Sequence, residues 1–289
     1  MPELPEVEVV KKSLVKNIIK CSIKRVKINN PNLRYKVKTR DFNKILKKKI
    51  ISIKRISKFI IINFENNFSI LAHLGMTGKF FIKKQTGKFK NISFYYTSKT
   101  KRDKHDHIIF TINNKFQMIY NDVRRFGFIK VQTNNELKKS KHFIFLGPDP
   151  LSKKFNIKYL FSKIKNTERK IKDVLMDQKF VSGLGNIYVN EILFKCKINP
   201  KRKIKFISKF EAEKLIFFTR TILKESIKFG GSTIKDFEDD KGNKGKFQQK
   251  FNVYGRANEK CLNGGCSFRI TKDFISKRST YYCKFCQKY

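Results

Sequence analysis

The sequence predicts an α+β fold: a strand-rich antiparallel first half, a helical second half and a small cysteine-stapled hairpin at the end. Three observations carry this. Between about residues 50 and 131, the short runs IISIKRIS, KFIIINF, FSILAHL, NISFYY, HIIFTI, FQMIY and FGFIKV alternate with turn-like ENN, INN and ND pieces, as in a sandwich or barrel-like domain. Beyond 155 the apolar spacing becomes helical. Finally, CLNGGC and CKFC place four of the six cysteines in the last 29 residues.

The elements follow in order. Val7, Val10, Leu14 and Ile18 are spaced by threes and fours, which predicts a helix over 5–19 with Pro5 tolerated near its start. The strand region follows, closed by NNELKKSKHFIFLGPDPLSKK, whose LGPDP reads as a linker. RKIKDVLMDQ predicts a helix over about 168–177, VSGLGN a tight turn, and IYVNEILFK a second helix. In SKFEAEKLIFFTRTILKESIKFGG, Ser208 and Glu211 form an S-x-x-E capping box and Gly230-Gly231 a stop. DFEDDKGNKGKFQQKF is polar and reads as a mobile loop. FRITKDFISKRSTYY suits two strands and a turn between the cysteine pairs.

Composition narrows the partner. Of 289 residues, 67 are Lys or Arg and 23 Asp or Glu, a formal charge of +44, which favours a polyanion. The richness in Lys, Ile, Asn and Phe also fits drift in an AT-rich genome, so charge alone does not separate an enzyme from a ribosome-associated protein. The acidic start PELPEVEVV lacks the basic and apolar regions of a signal peptide. No apolar run approaches the roughly 20 residues of a membrane span. These features give the expectation of a soluble cytoplasmic protein; a monomer is expected.

Several motifs carry chemistry. The C-x4-C…C-x2-C spacing of Cys261, Cys266, Cys283 and Cys286 suits a closed structural zinc site with no position for water. Cys21 and Cys196 are isolated and read as ordinary thiols. GLGN, ending at Asn186, can present amides to a phosphate or simply join two helices. HLGMTG and VRRFG each end a strand and offer Met76, Arg124 and Phe126, two apolar wedges and a cation. Such a set can fill the gap left by an extruded base; otherwise it is two core residues and a surface arginine. Once Met1 is removed, Pro2 carries a secondary amine with a pKa of roughly 8. That amine can attack an electrophilic carbon, with Glu3 beside it to move protons. Pro5-Glu6 is explained as a helix start; Pro2-Glu3, preceding the helix, is explained less well that way.

Together, PELPEVE, RISKFI, HLGMTG, KHDH, DVRRFG, LGPDPL, LMDQKFVSGLGNIYVNEILF, GGSTIKDF, QKFNVYGR and KRSTYYC with the cysteine pairs resemble bacterial formamidopyrimidine-DNA glycosylase along the whole chain. The resemblance implies an N-terminal antiparallel β-sandwich with flanking helices (1–135), a linker (136–152), a helix–two-turn–helix DNA-binding domain (153–235), and a lesion-recognition loop with a zinc-finger hairpin (236–289). It makes Pro2 the nucleophile, Glu3 the proton shuttle, Lys58 the second catalytic cation and Arg278 the assistant in δ-elimination. It makes Met76, Arg124 and Phe126 the residues that fill the void. His105 and Asn186 become phosphate contacts, Lys172 a lysine close to the lesion, and GGSTIKDF with the following loop a cover over the damaged base.

The implied activity is excision of oxidised purines from double-stranded DNA and cleavage at the abasic site, with one structural zinc. The chain departs from the family pattern in its four-residue first cysteine spacing, in Val123 where proline is common, and in the lysine-lengthened TSKTKRDKHDH. Alternatives are an endonuclease VIII-like enzyme for oxidised pyrimidines, a catalytically inactive damage-binding relative, and a basic zinc-finger protein of the ribosome or RNA. Leu4 and the wedge residues speak against the first, and Pro2, Glu3 and Lys58 against the second. The third leaves the N-terminal Pro-Glu unexplained.

Overall fold

A computed structural model describes residues 1–84, 89–91, 103–165, 167–232 and 247–289. The chain forms two compact units, Met1–Ile144 with Gly230–Lys246 and Phe145–Phe229 with Phe247–Tyr289. The chain passes to the second unit after Ile144, returns to the first at Gly230 and leaves it again at Phe247. The cysteine hairpin does not form a unit of its own but belongs with the helices.

In the first unit, α1 spans Leu4–Ile18. It starts there because Glu3 is extended and its N–H donates to Glu6 Oε2 at 2.9 Å, the backward half of a capping box, with Pro5 in the first turn. Glu3 is therefore the helix N-cap, and does not merely precede the helix. Val7, Val10, Leu14 and Ile18 are fully buried, so the helical spacing anticipated the buried face.

The following elements are β1 (Ile23–Ile28), α2 (Thr39–Asn43), β2 (Ile50–Ile56), β3 (Phe59–Phe64), β4 (Phe68–His73), β5 (Gly78–Lys84), β6 (Phe89–Asn91), β7 (Asp106–Ile112), β8 (Phe116–Asp122), β9 (Phe128–Thr133) and α3 (Asn134–Lys138). They build two antiparallel sheets, ordered β1-β7-β8-β5-β6 and β2-β3-β4-β9. Ile60 and Ile62 of β3, Phe80 of β5, Phe110 of β7 and Tyr120 of β8 share one core with the apolar face of α1, which makes this a sandwich. Ile61 points the other way, to Leu71 and Phe128. With both faces covered, β3 reads as a continuous apolar run, FIIINF, and not as an alternating one. Asn67, Asn113 and Asn114 take positive φ in the turns, a conformation asparagine tolerates better than most side chains. The expected strand NISFYY lies outside the described residues after Asn91.

The second unit holds α4 (Ile157–Ile164), α5 (Ile171–Met176), α6 (Asn186–Lys195), α7 (Lys209–Lys228), β10 (Thr271–Ile275) and β11 (Arg278–Tyr282). The capping box of α7 forms as expected, with Glu211 N–H donating to Ser208 Oγ at 3.2 Å and Ser208 N–H to Glu211 Oε2 at 2.9 Å. Ser276 and Lys277 both take positive φ, which makes the tight β10–β11 hairpin of opposite-handed turn residues. Glu191 of α6 is buried and accepts from the amides of Asn252, Val253 and Tyr254 and from Asn252 Nδ2, at 2.8–2.9 Å. Four donors compensate a carboxylate taken out of water, and they fasten the QKFNVYGR segment to the helix. Among the described residues no helix is long and apolar enough to cross a membrane. The loop expected after Ser232 falls outside the described residues until Phe247, and Gln248–Lys250 then form a 3₁₀ turn.

Candidate active site and metal centre

The first unit gathers most of the expected catalytic residues around the chain start. Pro2 and Glu3 are buried. The amine of Met1 is held below its ordinary value, first by burial; Lys58 and Arg124 push in the same direction, while Glu3 and Glu6 oppose them. The N-terminus, Glu3, Lys58 and Arg124 thus share one electrostatic environment, although they come from α1, the β2–β3 turn and the end of β8.

Lys58 is buried and follows Ser57, whose φ is +54°. Arg55 braces this turn by donating Nη1–H to the Ser57 carbonyl at 3.0 Å and pairing Nε with Glu8 of α1 at 2.8 Å. Glu6, whose other oxygen caps Glu3, accepts from Ser232 N–H at 2.6 Å and Ser232 Oγ at 2.8 Å. The chain just after Gly230-Gly231 is therefore tied to the start of α1.

Two of the three wedge residues meet. Met76 is half-buried, Arg124 is exposed and Phe126 is 47% exposed. The Arg124 guanidinium lies 4.5 Å from the Phe126 ring centroid, a cation–π distance. His73 Nδ1 accepts the Gly75 N–H at 3.1 Å. Burial, with help from Lys58, Arg34 and His142, lowers the His73 pKa to about 4, so this imidazole is neutral near pH 7 and free to accept. His105 is half-buried in the 3₁₀ turn just before β7, its ring 6.5 Å from that of His107.

In the second unit, Arg278 is exposed as the first residue after the β10–β11 turn. Lys172, expected close to the lesion, packs against the strand that begins with Arg278. It is fully buried and donates to the Ser279 carbonyl at 3.0 Å and to Thr280 Oγ1 at 2.7 Å. Asn186 Nδ2 donates to the same Ser279 carbonyl at 2.9 Å, and Asn190 Oδ1 accepts Tyr281 N–H at 2.9 Å. These three side chains of α5 and α6 hold β11, the strand that begins with Arg278. Gln178 closes the GLGN turn by donating to Leu184 O at 2.8 Å and accepting Gly183 N–H at 2.8 Å.

Burial, aided by Arg278 and opposed by Asp173, lowers the Lys172 pKa from 10.5 to about 8. Above pH 8 the folded lysine loses its proton while the unfolded one keeps it to about 10.5. The unfolded state then binds more protons, so this site adds stability as pH rises through that window. Denaturant unfolding of wild type and Lys172→Met across the window should show the wild type gaining on the variant as pH rises. A constant difference would contradict the assignment.

Cys261, Cys266, Cys283 and Cys286 bring their four Sγ atoms within 4.8 Å of one another. Cys261–Cys286 and Cys266–Cys283 are 3.8 Å apart. A tetrahedron with metal–sulfur bonds of ~2.3 Å has edges of about 3.8 Å, so these residues fit a closed four-thiolate metal site. Cys286 N–H also approaches Cys283 Sγ at 3.5 Å, a donor suited to a thiolate. The wider first loop is accommodated by Gly265 at φ +74° and by Cys266 N–H donating to the Asn263 carbonyl at 3.1 Å.

Thr77, Asp122, Gln178 and Glu191 lie inside the quoted motifs, but their structural roles are not legible there: Thr77 and Asp122 meet across two loops, Glu191 meets residues 252–254, and Gln178 folds back on its own turn. Of these, only Glu191 carried a signal, as a charged residue on the inward face of a helix.

A β-sandwich whose first helix starts at a Pro-Glu N-terminus, joined in one chain to a helical unit with a four-cysteine hairpin, is the architecture of a helix–two-turn–helix class. Residues 1–129 match the formamidopyrimidine-DNA glycosylase N-terminal domain and residues 146–238 its H2TH domain. The chain is 40% identical over 288 residues to the formamidopyrimidine-DNA glycosylase of Rickettsia bellii, covering all of both chains. It superposes on Lactococcus lactis Fpg bound to abasic-site DNA with a TM-score of 0.85 and 30% identity, covering 99% of this chain and 100% of that one. A Lactococcus lactis Fpg variant bound to Fapy-dG-containing DNA gives 0.86 and 30%, covering all of both chains. The chain belongs to the formamidopyrimidine-DNA glycosylase family.

Proposed function

We propose that this chain excises oxidised purines such as 8-oxoguanine and formamidopyrimidines from duplex DNA and then cleaves the abasic site, through a Schiff base on Pro2. The supporting observation is the buried Pro2-Glu3 start, in one environment with Lys58 and Arg124, in a chain of this family. The endonuclease VIII-like and inactive readings are not favoured.

With Met1 removed, the secondary amine of Pro2 attacks C1′ of the damaged nucleotide's sugar as the base departs, and Glu3 carries protons. The iminium acidifies the C2′ proton. Lys58 assists β-elimination on the 3′ side, and Arg278, holding the phosphate, assists δ-elimination on the 5′ side. Met76, Arg124 and Phe126 occupy the space left by the extruded nucleotide, and His105 and Asn186 contact phosphates. Lys172 acts from below, holding the strand of Arg278. The loop after Ser232, outside the described residues, covers the base. In domain terms, 1–135 is catalytic, 136–152 links, 153–235 docks DNA, and 236–289 recognises the lesion and carries the finger.

Zinc is the metal that four thiolates at this spacing favour. Bound by Cys261, Cys266, Cys283 and Cys286, it supplies structure to the hairpin that presents Arg278. Lysines and arginines dock the phosphates, so DNA affinity falls steeply with salt.

The test is borohydride trapping on duplex DNA with 8-oxoguanine opposite cytosine. A covalent protein–DNA complex with Met-processed protein is expected, and a weaker one when thymine glycol replaces 8-oxoguanine. Absence of any complex overturns the proposal.

A further inference from the structure

The loops that carry the wedge residues leave different strands, 74–78 after β4 and 122–127 after β8, yet one buried carboxylate joins them. Asp122 is fully buried. Its Oδ1 accepts the Thr77 hydroxyl, and its Oδ2 accepts Gly127 N–H at 2.8 Å. Thr77 Oγ1 in turn accepts Arg124 N–H at 2.9 Å. A chain of donors therefore runs from the Arg124 backbone through Thr77 to Asp122, and a second bond closes it at the residue after Phe126.

The backbones interlock as well. Gly75 has φ +60°, and a Cβ there would lie 2.4 Å from the Gly127 nitrogen and 2.5 Å from the Phe126 carbonyl carbon. Only a glycine allows that approach. Below, His107 Nε2 lies 2.7 Å from the Asp122 carbonyl; burial lowers the pKa of Lys79, and Asp122 acts against that lowering. Charge-assisted bonds in a buried setting are stiff and costly to break.

We propose that Asp122 and Thr77 are positioning residues that lock Met76, Arg124 and Phe126 into one preformed wedge, so that the three enter the base stack as a unit. The inference rests on the proposed role of those three as void fillers. Without the lock, two loops must be ordered separately during base extrusion, and that ordering opposes the step.

The two substrates that separate this role from general damage are an 8-oxoguanine duplex and a single-stranded abasic oligonucleotide. The duplex needs the wedge; the single strand has no orphaned partner base to replace. In Thr77→Val and Asp122→Asn, single-turnover excision from the duplex should fall about tenfold or more, as for loss of a buried hydrogen bond. Borohydride trapping on the single-stranded abasic oligonucleotide should be unchanged, and Thr77→Ser should restore the duplex rate. Equal losses on both substrates, or an undiminished duplex rate, overturn the proposal. Failure of the wild type itself on 8-oxoguanine would instead mark failure of the proposed function, and the wedge reading would fall with it.

Discussion

A Pro2→Gly protein is expected to give far less borohydride-trapped complex than wild type on 8-oxoguanine duplex, while still binding it. The reason lies in what the N-terminus is made of. A secondary amine forms an iminium that is cationic without a further proton, and the proline ring fixes the direction of the nitrogen. Glycine keeps a terminal amine but loses the ring that fills this buried position.

A chain retaining Met1 should lose excision altogether, because its Pro2 nitrogen is an amide. Glu3→Gln should separate the steps. Loss of a proton shuttle slows base excision by about 10²–10⁴-fold, while a preformed abasic site, which needs no base departure, should still be trapped. The pH dependence follows from the setting. Burial, Lys58 and Arg124 lower the Met1 amine; a Pro2 amine freed at the same end meets the same groups, so its reactive neutral form should be gained as pH rises, well below the range of an ordinary lysine. A midpoint near that of an ordinary lysine would implicate Lys58 as nucleophile instead.

Metal removal is the second large effect. One zinc per chain is expected by elemental analysis, and Cys261, Cys266, Cys283 and Cys286 should resist alkylation until a strong chelator is added. Burial, with the neighbouring thiols, pushes the metal-free Cys261 thiol up to about 12; a bound dication must displace such protons, so metal affinity should fall as pH falls. Structural zinc contributes about 10–16 kcal/mol in isolated zinc-finger peptides, far above any single contact in this hairpin. Chelation or Cys283→Ser should therefore disorder β10–β11 and abolish cleavage through loss of Arg278, with the first unit still folded by circular dichroism. Cleavage that survives with the thiols open to alkylation would show that the hairpin stands without metal.

Much of the fold was legible because local rules agreed with it. The 3–4 spacing of Val7, Val10, Leu14 and Ile18 anticipated α1, and the Ser208–Glu211 box anticipated the start of α7. The paired asparagines marked turns. β1 was missed because KRVKI is mostly basic and half-exposed, and β5 because it continues directly from a glycine-bearing motif. By spacing alone Pro2-Glu3 precedes the helix, whereas the bond from Glu3 N–H to the Glu6 carboxylate makes Glu3 its cap. One short stretch thus serves both the helix and the chemistry proposed for it. Lys172 was expected near the lesion as a basic residue in a matching motif; its burial against Ser279 and Thr280 depends on a strand more than a hundred residues away.

The sequence by itself determined the chemistry that is written in residue type and spacing: an N-terminal proline beside a carboxylate, four cysteines in two close pairs, helical and strand periods, and a positive charge suited to a polyanion. The tertiary structure alone decided which of these groups act on one another. Lys58 and Arg124 bear on the chain start, Thr77 and Asp122 lock two loops, and Lys172 and Asn186 support the strand of Arg278. The reason is physical. Periodicity and capping act within a few residues of chain, whereas hydrogen bonds and electrostatic fields act through space, between positions that only folding makes neighbours.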